Sequence, residues 1–336
     1  MRPSVFLLYL LLLVSACKKE ADPEPGDFPE LENGQMMLAC AEGNFRWGNA
    51  EAGLVNLRTF RSNWSAFSSK NKRPLGDVLQ SAAFWNGRLW LVVNNSGRLE
   101  GIDPGSFELK ESITGLTSPR FLQAVSEEKA FVTDLYADGI WVLKKGSNRP
   151  ERKIPMPGWT EEMVFSDGLV WICCRTRPFL LGLNPATEAV EDSLHLPGNG
   201  RSLCRGPGGS LWVGFEKGSG PGPGLWLVHP DAAAPLKSWN ADGEDAVPDR
   251  LCSSVSGDTV FFLSQGPCRL NDNGFQRYEA GSGNWYGLGW DPRRRQLWLS
   301  DVKDYQQASE VRQLDYNGNL LRSWSGGILV SRFYFW

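Results

Sequence analysis

The stretch AFWNGRLWLVVNN, from Ala83 to Asn95, decides the fold. It contains an apolar run, the dipeptide Asn86-Gly87, and a second apolar run centred on Trp90. Asn-Gly between apolar runs is the strongest short signal for a β-hairpin, because both central turn residues take positive φ, which Asn and Gly tolerate. The stretch therefore predicts two paired antiparallel strands.

The second strand of this hairpin recurs along the chain. Its bulky central residue has counterparts in the segments LWLVVN, AFVTD, VWICC, LWVGF, VFFLS and LWLSD, at Trp90, Phe131, Trp171, Trp212, Phe261 and Trp298. Subtracting each position from the next gives 41, 40, 41, 49 and 37 residues, and Leu38 in MMLACAEG marks a more distant seventh copy. A period near 40 with strand patterning is typical of a β-propeller, whose blades are four-stranded sheets around an axis.

The two ends of the chain predict how the ring closes. The C-terminal segment 331–336 has an inner-strand pattern with no partner after it. The N-terminal region supplies a second strand at Met36 to Ala41, a third at Gly53 to Arg58 and an outer strand at Asn63 to Ser68. Joined, they complete one blade and remove exposed sheet edges. The prediction is an all-β protein, a seven-bladed β-propeller over residues 34–336 with four antiparallel strands per blade.

The N-terminus has the layout of an export signal. Residues 1–16 carry Arg2, an apolar run and small residues before Cys17. This is too short for a transmembrane helix and resembles a lipoprotein signal peptide, in which Cys17 is lipidated after cleavage. Residues 17–33 are rich in Pro, Asp and Glu and predict a disordered tether. An ordinary secretory signal with a chance Cys is the alternative.

The amino-acid composition limits which partners and which covalent cross-links the sequence allows. The formal net charge of −3 gives no strong attraction to nucleic acid. Most of the 15 Trp residues fall in predicted strands, where packing between blades explains them. Six cysteines follow Cys17, and an exported protein can form disulfides. Most of these cysteines replace apolar strand residues, so buried thiols are favoured, with Cys252 and Cys268 as the pair to check for a bond.

Strand polarity predicts one binding face. Residues that end each second strand and residues that precede each inner strand emerge at the same end of the propeller, near the axis. Polar and aromatic groups meeting there suit a large polar ligand. The predicted ligand-binding residues are Glu42, Asn44, Phe45, Asp77, Asn94, Asn95, Arg120, Asp134, Tyr136, Arg175, Trp285, Tyr286, Asp301 and Tyr305. For any one of them, capping of a strand end is the structural alternative.

Catalytic motifs are sparse. The only two histidines, His195 and His229, fall in predicted outer-strand or turn positions, and no GxSxG elbow, phosphate loop or CxxC pair occurs. The adjacent pair Glu161-Glu162 is expected to be solvated. The prediction is therefore not an enzyme, with no cofactor and no metal. A lactonase-like propeller that holds a divalent ion by Glu42, Asn94 and Asp134 or Asp301 is the enzymatic alternative.

Several long segments resemble a known family. LACAEGNFRWGNA (38–50), the segment 74–121, KAFVTDLY (129–136) and NWYGLGWDPRRRQLWLSDVKDY (284–305) closely resemble YncE-like surface lipoproteins of Bacteroidota. These are seven-bladed propellers that accompany TonB-dependent transporters. The segment WICCRTRPF (171–179) and the insertion GSGPGPG (218–224) depart from the family pattern.

The resemblance implies a function. Cobalamin-capturing members from gut Bacteroides bind the corrinoid on a propeller face and pass it to a transporter. It implies here a monomeric protein, lipid-anchored at the outer membrane and facing the cell exterior, that captures cobalamin or a related corrinoid for a TonB-dependent outer-membrane transporter. A propeller scaffold that docks on the transporter without binding a small molecule is the alternative.

Overall fold

Neighbouring strands of the chain pair with one another almost throughout. The computed structural model describes residues 28–218 and 222–336. Within them, 28 strands and one short helix follow each other, and strands that are consecutive in sequence are hydrogen-bonded neighbours in four-stranded antiparallel units. The predicted signal peptide, Cys17 and the first part of the predicted tether lie outside the described residues.

Six units are formed by consecutive strands, and we number them blades 2 to 7. Blades 2 and 3 contain β4 (Leu79–Trp85), β5 (Arg88–Val93), β6 (Arg98–Ile102), β7 (Leu109–Thr114), β8 (Pro119–Ala124), β9 (Lys129–Asp134), β10 (Gly139–Lys144) and β11 (Arg152–Pro155). Blades 4 and 5 contain β12 (Thr160–Ser166), β13 (Leu169–Cys174), β14 (Phe179–Leu183), β15 (Val190–His195), β16 (Gly200–Arg205), β17 (Leu211–Phe215), β18 (Gly224–Val228) and β19 (Lys237–Asn240). Blades 6 and 7 contain β20 (Asp249–Ser253), β21 (Val260–Leu263), β22 (Pro267–Asn271), β23 (Gly274–Arg277), β24 (Trp285–Asp291), β25 (Gln296–Asp301), β26 (Ala308–Leu314) and β27 (Leu320–Ile328).

Blade 1 is assembled from both ends of the chain, as predicted. Its strands are β28 (Val330–Phe335), β1 (Met36–Ala41), β2 (Glu51–Asn56) and β3 (Ser62–Asn63), in that order. The last strand pairs with the first in antiparallel register, with Leu38 opposite Tyr334. The inner strand of each blade contacts that of the next, and β28 contacts both β24 and β4, so the ring is closed. The seven-bladed propeller is confirmed.

The repeated bulky residues form the packing between blades. Trp90, Trp171, Trp212 and Trp298 are each no more than 1% exposed. Trp212 donates from Nε1 to the carbonyl of Gly257 in the neighbouring blade, at 2.8 Å. In blade 2 Trp90 lies opposite Gly101, where a Cβ would come within 3.0 Å of the indole. These residues recur once per blade for a structural reason, because each fills the space between two sheets.

Two details differ from the sequence predictions. The second half of the predicted outer strand at Asn63 to Ser68 belongs to the helix α1 (Ala66–Asn71), which follows the two-residue β3. The carboxylate of Glu51 accepts hydrogen bonds from the backbone N–H groups of Phe67 and Ser68, at 2.9 and 3.2 Å, and the Phe67 side chain is fully buried. A carboxylate at the first turn satisfies N–H groups that would otherwise be unpaired, so tertiary contacts override the strand pattern.

The second difference concerns the end of the predicted tether. Residues 28–33, assigned to a disordered segment, pack on the propeller. The ring of Phe28 lies 6.0 Å from that of Phe107, and the side-chain amide of Asn56 donates to the carbonyl of Glu30 at 2.8 Å. The described end of the predicted tether is therefore part of the packed structure.

The state of the cysteines agrees with the sequence analysis, which favoured thiols over disulfides. All six that the structure describes are free thiols, and Cys252 and Cys268 are not joined. Burial raises the pKa of the Cys174 thiol to about 12 and that of Cys268 to about 11. Buried thiols with raised pKa values are unreactive. No helix among residues 28–218 and 222–336 is long and apolar enough to cross a membrane.

Candidate functional site

One irregularity recurs in every blade at the end of the propeller where the inner strands begin, which we call the mouth. There the inner strand slips against the second strand. In blades 2 to 7 the slip falls between Leu79 and Ser81, Pro119 and Leu122, Thr160 and Met163, Gly200 and Ser202, Asp249 and Cys252, and Trp285 and Gly287. In blade 1 it falls at Cys40 and Ala41, opposite Ser331. Such β-bulges re-aim side chains and are frequent beside functional sites.

The bulges supply the lining of the mouth. The bulged residues that line its cavities are Gln80, Arg120, Glu161, Glu162, Arg201, Arg250 and Tyr286. Arg332 in β28 adds the contribution of blade 1. Each of the seven blades thus directs at least one polar or aromatic side chain to the same place, in blades 2 to 7 from the bulge and in blade 1 from the residue that follows it.

Three adjoining cavities make up the mouth. The axial cavity, of about 340 Å³, is walled by the charged residues of the bulges together with Asp249, Arg175 and Trp285. The rim cavity, of about 260 Å³, shares Arg120, Arg250 and Tyr286 with it and extends to Glu42 and Phe45. The side cavity, of about 380 Å³, lies beyond Trp285, which borders both. Trp285 borders the axial and side cavities, and Tyr286 borders the axial and rim cavities. Together, these consecutive residues reach all three cavities.

The charges in the mouth alternate in sign. The guanidinium of Arg120 contacts Glu161 at 2.8 Å, and Arg201 contacts Asp249 at 3.0 Å. Glu216 accepts from Arg201 at 3.1 Å and from Arg175 at 3.4 Å, and Glu42 lies 3.9 Å from Arg250. Together with the pair Arg332–Glu162, the five guanidinium groups face five carboxylates, so the formal charges cancel.

The Arg332–Glu162 pair spans the axis. Arg332 belongs to blade 1 and Glu162 to blade 4, which are three blades apart in a ring of seven. Their side chains are only 14% and 10% exposed. Arg332 also lies over the ring of Phe121, 4.7 Å from its centre, and Glu162 accepts from the Ser202 hydroxyl at 3.3 Å. The pair forms a buried bridge across the floor of the axial cavity.

Burial and neighbouring charges separate the titration of these acids. Burial raises the pKa of Glu162; Arg332 opposes this effect, and the nearby carboxylates Glu161 and Asp249 reinforce it. Burial also acts to raise the pKa of Asp249, but Arg250, Arg201 and Arg332 outweigh it and hold this pKa below its usual range. Burial, with the neighbouring Glu42, raises the pKa of Tyr286 to about 12, so the phenol is protonated and donates to Glu42 at 3.0 Å.

Several buried polar atoms at the mouth have no hydrogen-bond partner among the described residues. Glu162 Oε2, Arg175 Nε and Arg332 Nε belong to residues that line the axial cavity. Trp159 and Thr160 directly precede Glu161 in the sequence. Their atoms Nε1 and Oγ1 also have no hydrogen-bond partner in the described part of the chain. The Trp159 ring lies 5.8 Å from the Arg120 guanidinium and 5.2 Å from that of Arg175. Buried polar atoms are normally satisfied, so a cluster of such atoms beside one cavity sets the mouth apart from the regular sheets.

The sequence-predicted residues divide into three groups. The first group lines the mouth: Glu42, Phe45, Asn94, Arg120, Arg175, Trp285 and Tyr286. In the second, Asn44 and Tyr305 support its edge: the Asn44 amide donates to the Tyr305 carbonyl at 3.2 Å, and the Tyr305 ring packs on Tyr286 at 6.3 Å.

The third group contains the residues that do not line the mouth. Its carboxylates hold the loops at strand ends by hydrogen bonds. Asp134 accepts from the backbone N–H groups of Thr117 and Ser118 and from Trp141 Nε1, at 2.9 to 3.0 Å. Asp301 accepts from the N–H groups of Asn284 and Lys303, both at 2.9 Å. Asp77 accepts from the N–H of Arg46 at 2.8 Å and from the amide of Asn95. Tyr136 is 71% exposed and borders none of the three cavities.

The residues of the metal-binding alternative do not come together as a set of metal ligands. Glu42 and Asn94 border the rim cavity, whereas the carboxylates of Asp134 and Asp301 are engaged by the loops just described. Across the part of the chain with assigned positions, no group of three His, Cys, Asp or Glu residues is placed to hold a metal ion.

Much of the charged lining lies where the sequence predicts mouth residues, just before each inner strand: Glu161, Glu162, Arg201, Asp249, Arg250 and Arg332. These six residues were nevertheless left out of the predicted ligand-binding set. The expectation that Glu161-Glu162 is solvated is wrong, because both are on β12 and are 3% and 8% exposed. The shared position of the bulged residues is visible in the sequence. One residue in each of blades 2 to 7 lies 10, 11, 10, 11, 11 and 12 residues before the bulky residue of the following second strand: Gln80, Arg120, Glu161, Arg201, Arg250 and Tyr286.

Comparison with known proteins identifies the fold and no more. No protein-family model and no curated protein matches the sequence. Similar solved structures include a quinoprotein alcohol dehydrogenase-like protein from Bacteroides thetaiotaomicron, with 14% identity over 90% of this chain and 78% of that chain and a TM-score of 0.71. A putative 6-phosphogluconolactonase from Bacteroides fragilis has 12% identity over 92% and 100% and a TM-score of 0.65. The periplasmic gluconolactonase of Pseudomonas aeruginosa has 12% identity over 89% and 99% and the same TM-score. The chain thus has propeller neighbours, several from Bacteroides, while the resemblance to YncE-like lipoproteins stays a prediction.

Proposed function

We propose that this protein is a non-enzymatic capture protein that binds a large, polar, uncharged ligand at the mouth, with cobalamin or a related corrinoid as the candidate. The observation that carries the proposal is the convergence of polar and aromatic side chains from all seven blades on the axial and rim cavities. A preformed cavity lined by donors and acceptors can form hydrogen bonds with a ligand, and it loses little conformational entropy on binding because seven blades hold it.

The charge pattern favours a neutral ligand. Five guanidinium groups are balanced by five carboxylates, and each charge already has a counter-charge within 4 Å. A strongly anionic ligand would have to displace carboxylates. A primary amide carries both donors and an acceptor, so it can bond to a guanidinium and a carboxylate at once. The periphery of a corrinoid ring is covered with such amides.

The edge of the mouth offers rings for a flat ligand. Phe45 and Tyr305 are 59% and 51% exposed, and Tyr286 and Trp285 are half-buried beside them. The Tyr286 ring is held by the Arg250 guanidinium, 4.8 Å from its centre, and by the hydrogen bond to Glu42. Rings fixed in this way supply contact area at low entropic cost.

The location of the N-terminal segment fits an anchored protein. β1 runs towards the mouth, since Ala41 pairs with Val330 at the start of β28. Phe28 packs on Phe107 in the turn after β6, at the opposite end. With a lipid on Cys17, as proposed from the sequence, the tether would leave from the end away from the mouth. A TonB-dependent outer-membrane transporter would then receive the ligand from the exposed face.

Isothermal titration tests the proposal. The full-length protein is titrated with cyanocobalamin and with cobinamide, and saturable heat with a matching rise in unfolding temperature is expected. The double variant Trp285→Ala/Tyr286→Ala should weaken binding by more than tenfold, about 1.4 kcal/mol, because it removes the shared wall of the three cavities. The control Phe275→Ala removes an exposed ring from an outer strand of blade 6 and should leave affinity unchanged.

The other outcomes separate the alternatives. No heat and no thermal shift with either corrinoid refutes the corrinoid assignment. If the titration is silent while a TonB-dependent transporter co-purifies with the protein, the scaffold function is supported instead. Wild-type affinity in the double variant would place the ligand on another face.

A further inference from the structure

A second cavity lies at the end of the propeller opposite the mouth, between blades 6 and 7. It has a volume of about 420 Å³. Turns form most of its walls, namely the β20–β21, β22–β23, β24–β25 and β26–β27 connections, and the strand residues Asn271 and Trp290 complete them. It shares no lining residue with the three cavities of the mouth. We call it the far cavity.

One wall of the far cavity is a fixed tyrosine. The Tyr316 ring packs edge-on against Trp290 at 5.9 Å and Phe261 at 6.3 Å. The guanidinium groups of Arg269 and Arg295 lie 4.2 and 4.8 Å from its centre. The ring is therefore occupied by protein groups, and no open aromatic face remains for a flat ligand to stack on.

Its polar groups are mixed in kind and fixed in place. The Tyr316 hydroxyl accepts from the Asn271 amide at 3.3 Å and retains its own proton to donate. The Asp258 carboxylate is held by the hydroxyls of Ser254 and Thr259, at 2.7 and 3.1 Å, and these bonds, that of Ser254 foremost, lower its pKa, so it is an ionised acceptor. Arg295 is exposed and has no carboxylate partner within the described ranges, so its N–H groups are available.

Two apolar groups complete the lining. Val255 is 85% exposed and Pro292 is also exposed, both at the edge of the cavity. The remaining carboxylate, Asp272, is neutralised by Lys237. The far cavity thus presents one acceptor carboxylate, one donor guanidinium, a phenol and a small aliphatic surface, with opposite charges in balance.

We propose that the far cavity binds a neutral saccharide unit. A sugar hydroxyl donates and accepts at once, so adjacent hydroxyls can bond to a carboxylate and a guanidinium together. The C–H face of a pyranose covers Val255 and Pro292, which removes their apolar surface from water. An anion would meet Asp258 and a flat aromatic ligand finds no stacking face. A peptide would lack the strand edge that main-chain pairing requires, because turns form most of the walls.

Saturation-transfer NMR on the full-length protein tests this proposal, in a detergent without a sugar headgroup. The probes are methyl α-glucoside, methyl α-mannoside, maltose and lactose, with tri-alanine as the peptide. At least one sugar should receive saturation. The affinity for that sugar should fall about three- to tenfold in Tyr316→Phe, which removes one hydrogen bond and keeps the ring. It should fall at least tenfold in Arg295→Asn, which removes a charged donor.

Arg293→Asn is the matched control. This arginine is in the same turn and outside the far cavity, so its replacement should leave sugar binding unchanged. The proposal is overturned if no sugar receives saturation, if only tri-alanine does, or if Tyr316→Phe and Arg295→Asn bind as tightly as the control. Binding that is lost in Trp285→Ala/Tyr286→Ala and kept in Tyr316→Phe would assign the sugar to the mouth and equally overturn it.

Discussion

The buried bridge between Arg332 and Glu162 predicts a pH-dependent loss of stability when the arginine is removed. Arg332→Met leaves Glu162 8% exposed, next to Glu161 and near Asp249, without the cation that faces it. Removing one partner of a buried ion pair costs about 3–5 kcal/mol, because the other charge stays buried and unpaired. We expect a decrease of about 3 kcal/mol in the free energy of unfolding at pH 8, measured by equilibrium unfolding in urea.

The sign of the pH dependence follows from the raised pKa. Because the folded pKa of Glu162 is above its unfolded value, the folded state binds this proton more tightly, and stability falls as pH rises from the unfolded to the folded pKa. Arg332 lowers this pKa, so its removal raises the folded value further. The deficit of Arg332→Met relative to wild type should therefore be smaller at pH 5 than at pH 8, because protonation of Glu162 removes the unpaired buried charge.

Two further variants make the test decisive. Glu162→Gln in the Arg332→Met background removes the unpaired charge, so the double variant should recover most of the lost stability. Arg58→Met, which breaks an exposed pair with Glu32, should leave the midpoint unchanged at both pH values. An equal deficit at pH 5 and pH 8, or a double variant no more stable than Arg332→Met, would refute the reasoning.

Two other predictions concern residues that sequence and structure place differently. Asp134→Ala should reduce the free energy of unfolding, measured in urea, by about 2–4 kcal/mol, because it leaves the N–H groups of Thr117 and Ser118 and the Trp141 indole unpaired. Corrinoid affinity should stay unchanged, and Asp231→Ala is the exposed control. A loss of affinity at full stability would instead assign Asp134 to the ligand site. Iodoacetamide at pH 8 should leave the six cysteines after Cys17 unmodified in the native protein and modify all of them after unfolding without reductant, as read by mass spectrometry; a Cys252–Cys268 bond would contradict the free thiols described here.

The sequence predicts the ring because the ring depends on spacing. A bulky residue every 40 or so positions is sufficient to place the second strand of each blade, and the terminal patterns are sufficient to close the ring. Helix α1 could not be predicted in this way. Its first turn is held by Glu51, which is 16 residues before Phe67 and on another element. A local strand pattern contains no information about that contact.

The site was harder to predict because bulges break the alternation on which strand reasoning depends. In a regular strand, adjacent side chains point to opposite faces, so Glu161 and Glu162 should not both reach the axis. The slip between Thr160 and Met163 places both outside the regular pairing, and both line the axial cavity. Conversely, Asp134 looks like a ligand residue at a strand end, and only the tertiary structure shows the N–H groups that occupy it.

The repeated bulge also separates the fold from the specificity of the mouth. The backbone feature is present in all seven blades, yet the side chains at it in blades 2 to 7 range from the amide of Gln80 through arginines and glutamates to the phenol of Tyr286. Since these residues are left out of the regular pairing between inner and second strands, their identity is not fixed by strand pairing or by packing between blades. The mouth can therefore change its ligand by substitution at a few positions while the Trp and Phe residues between the blades keep the ring intact.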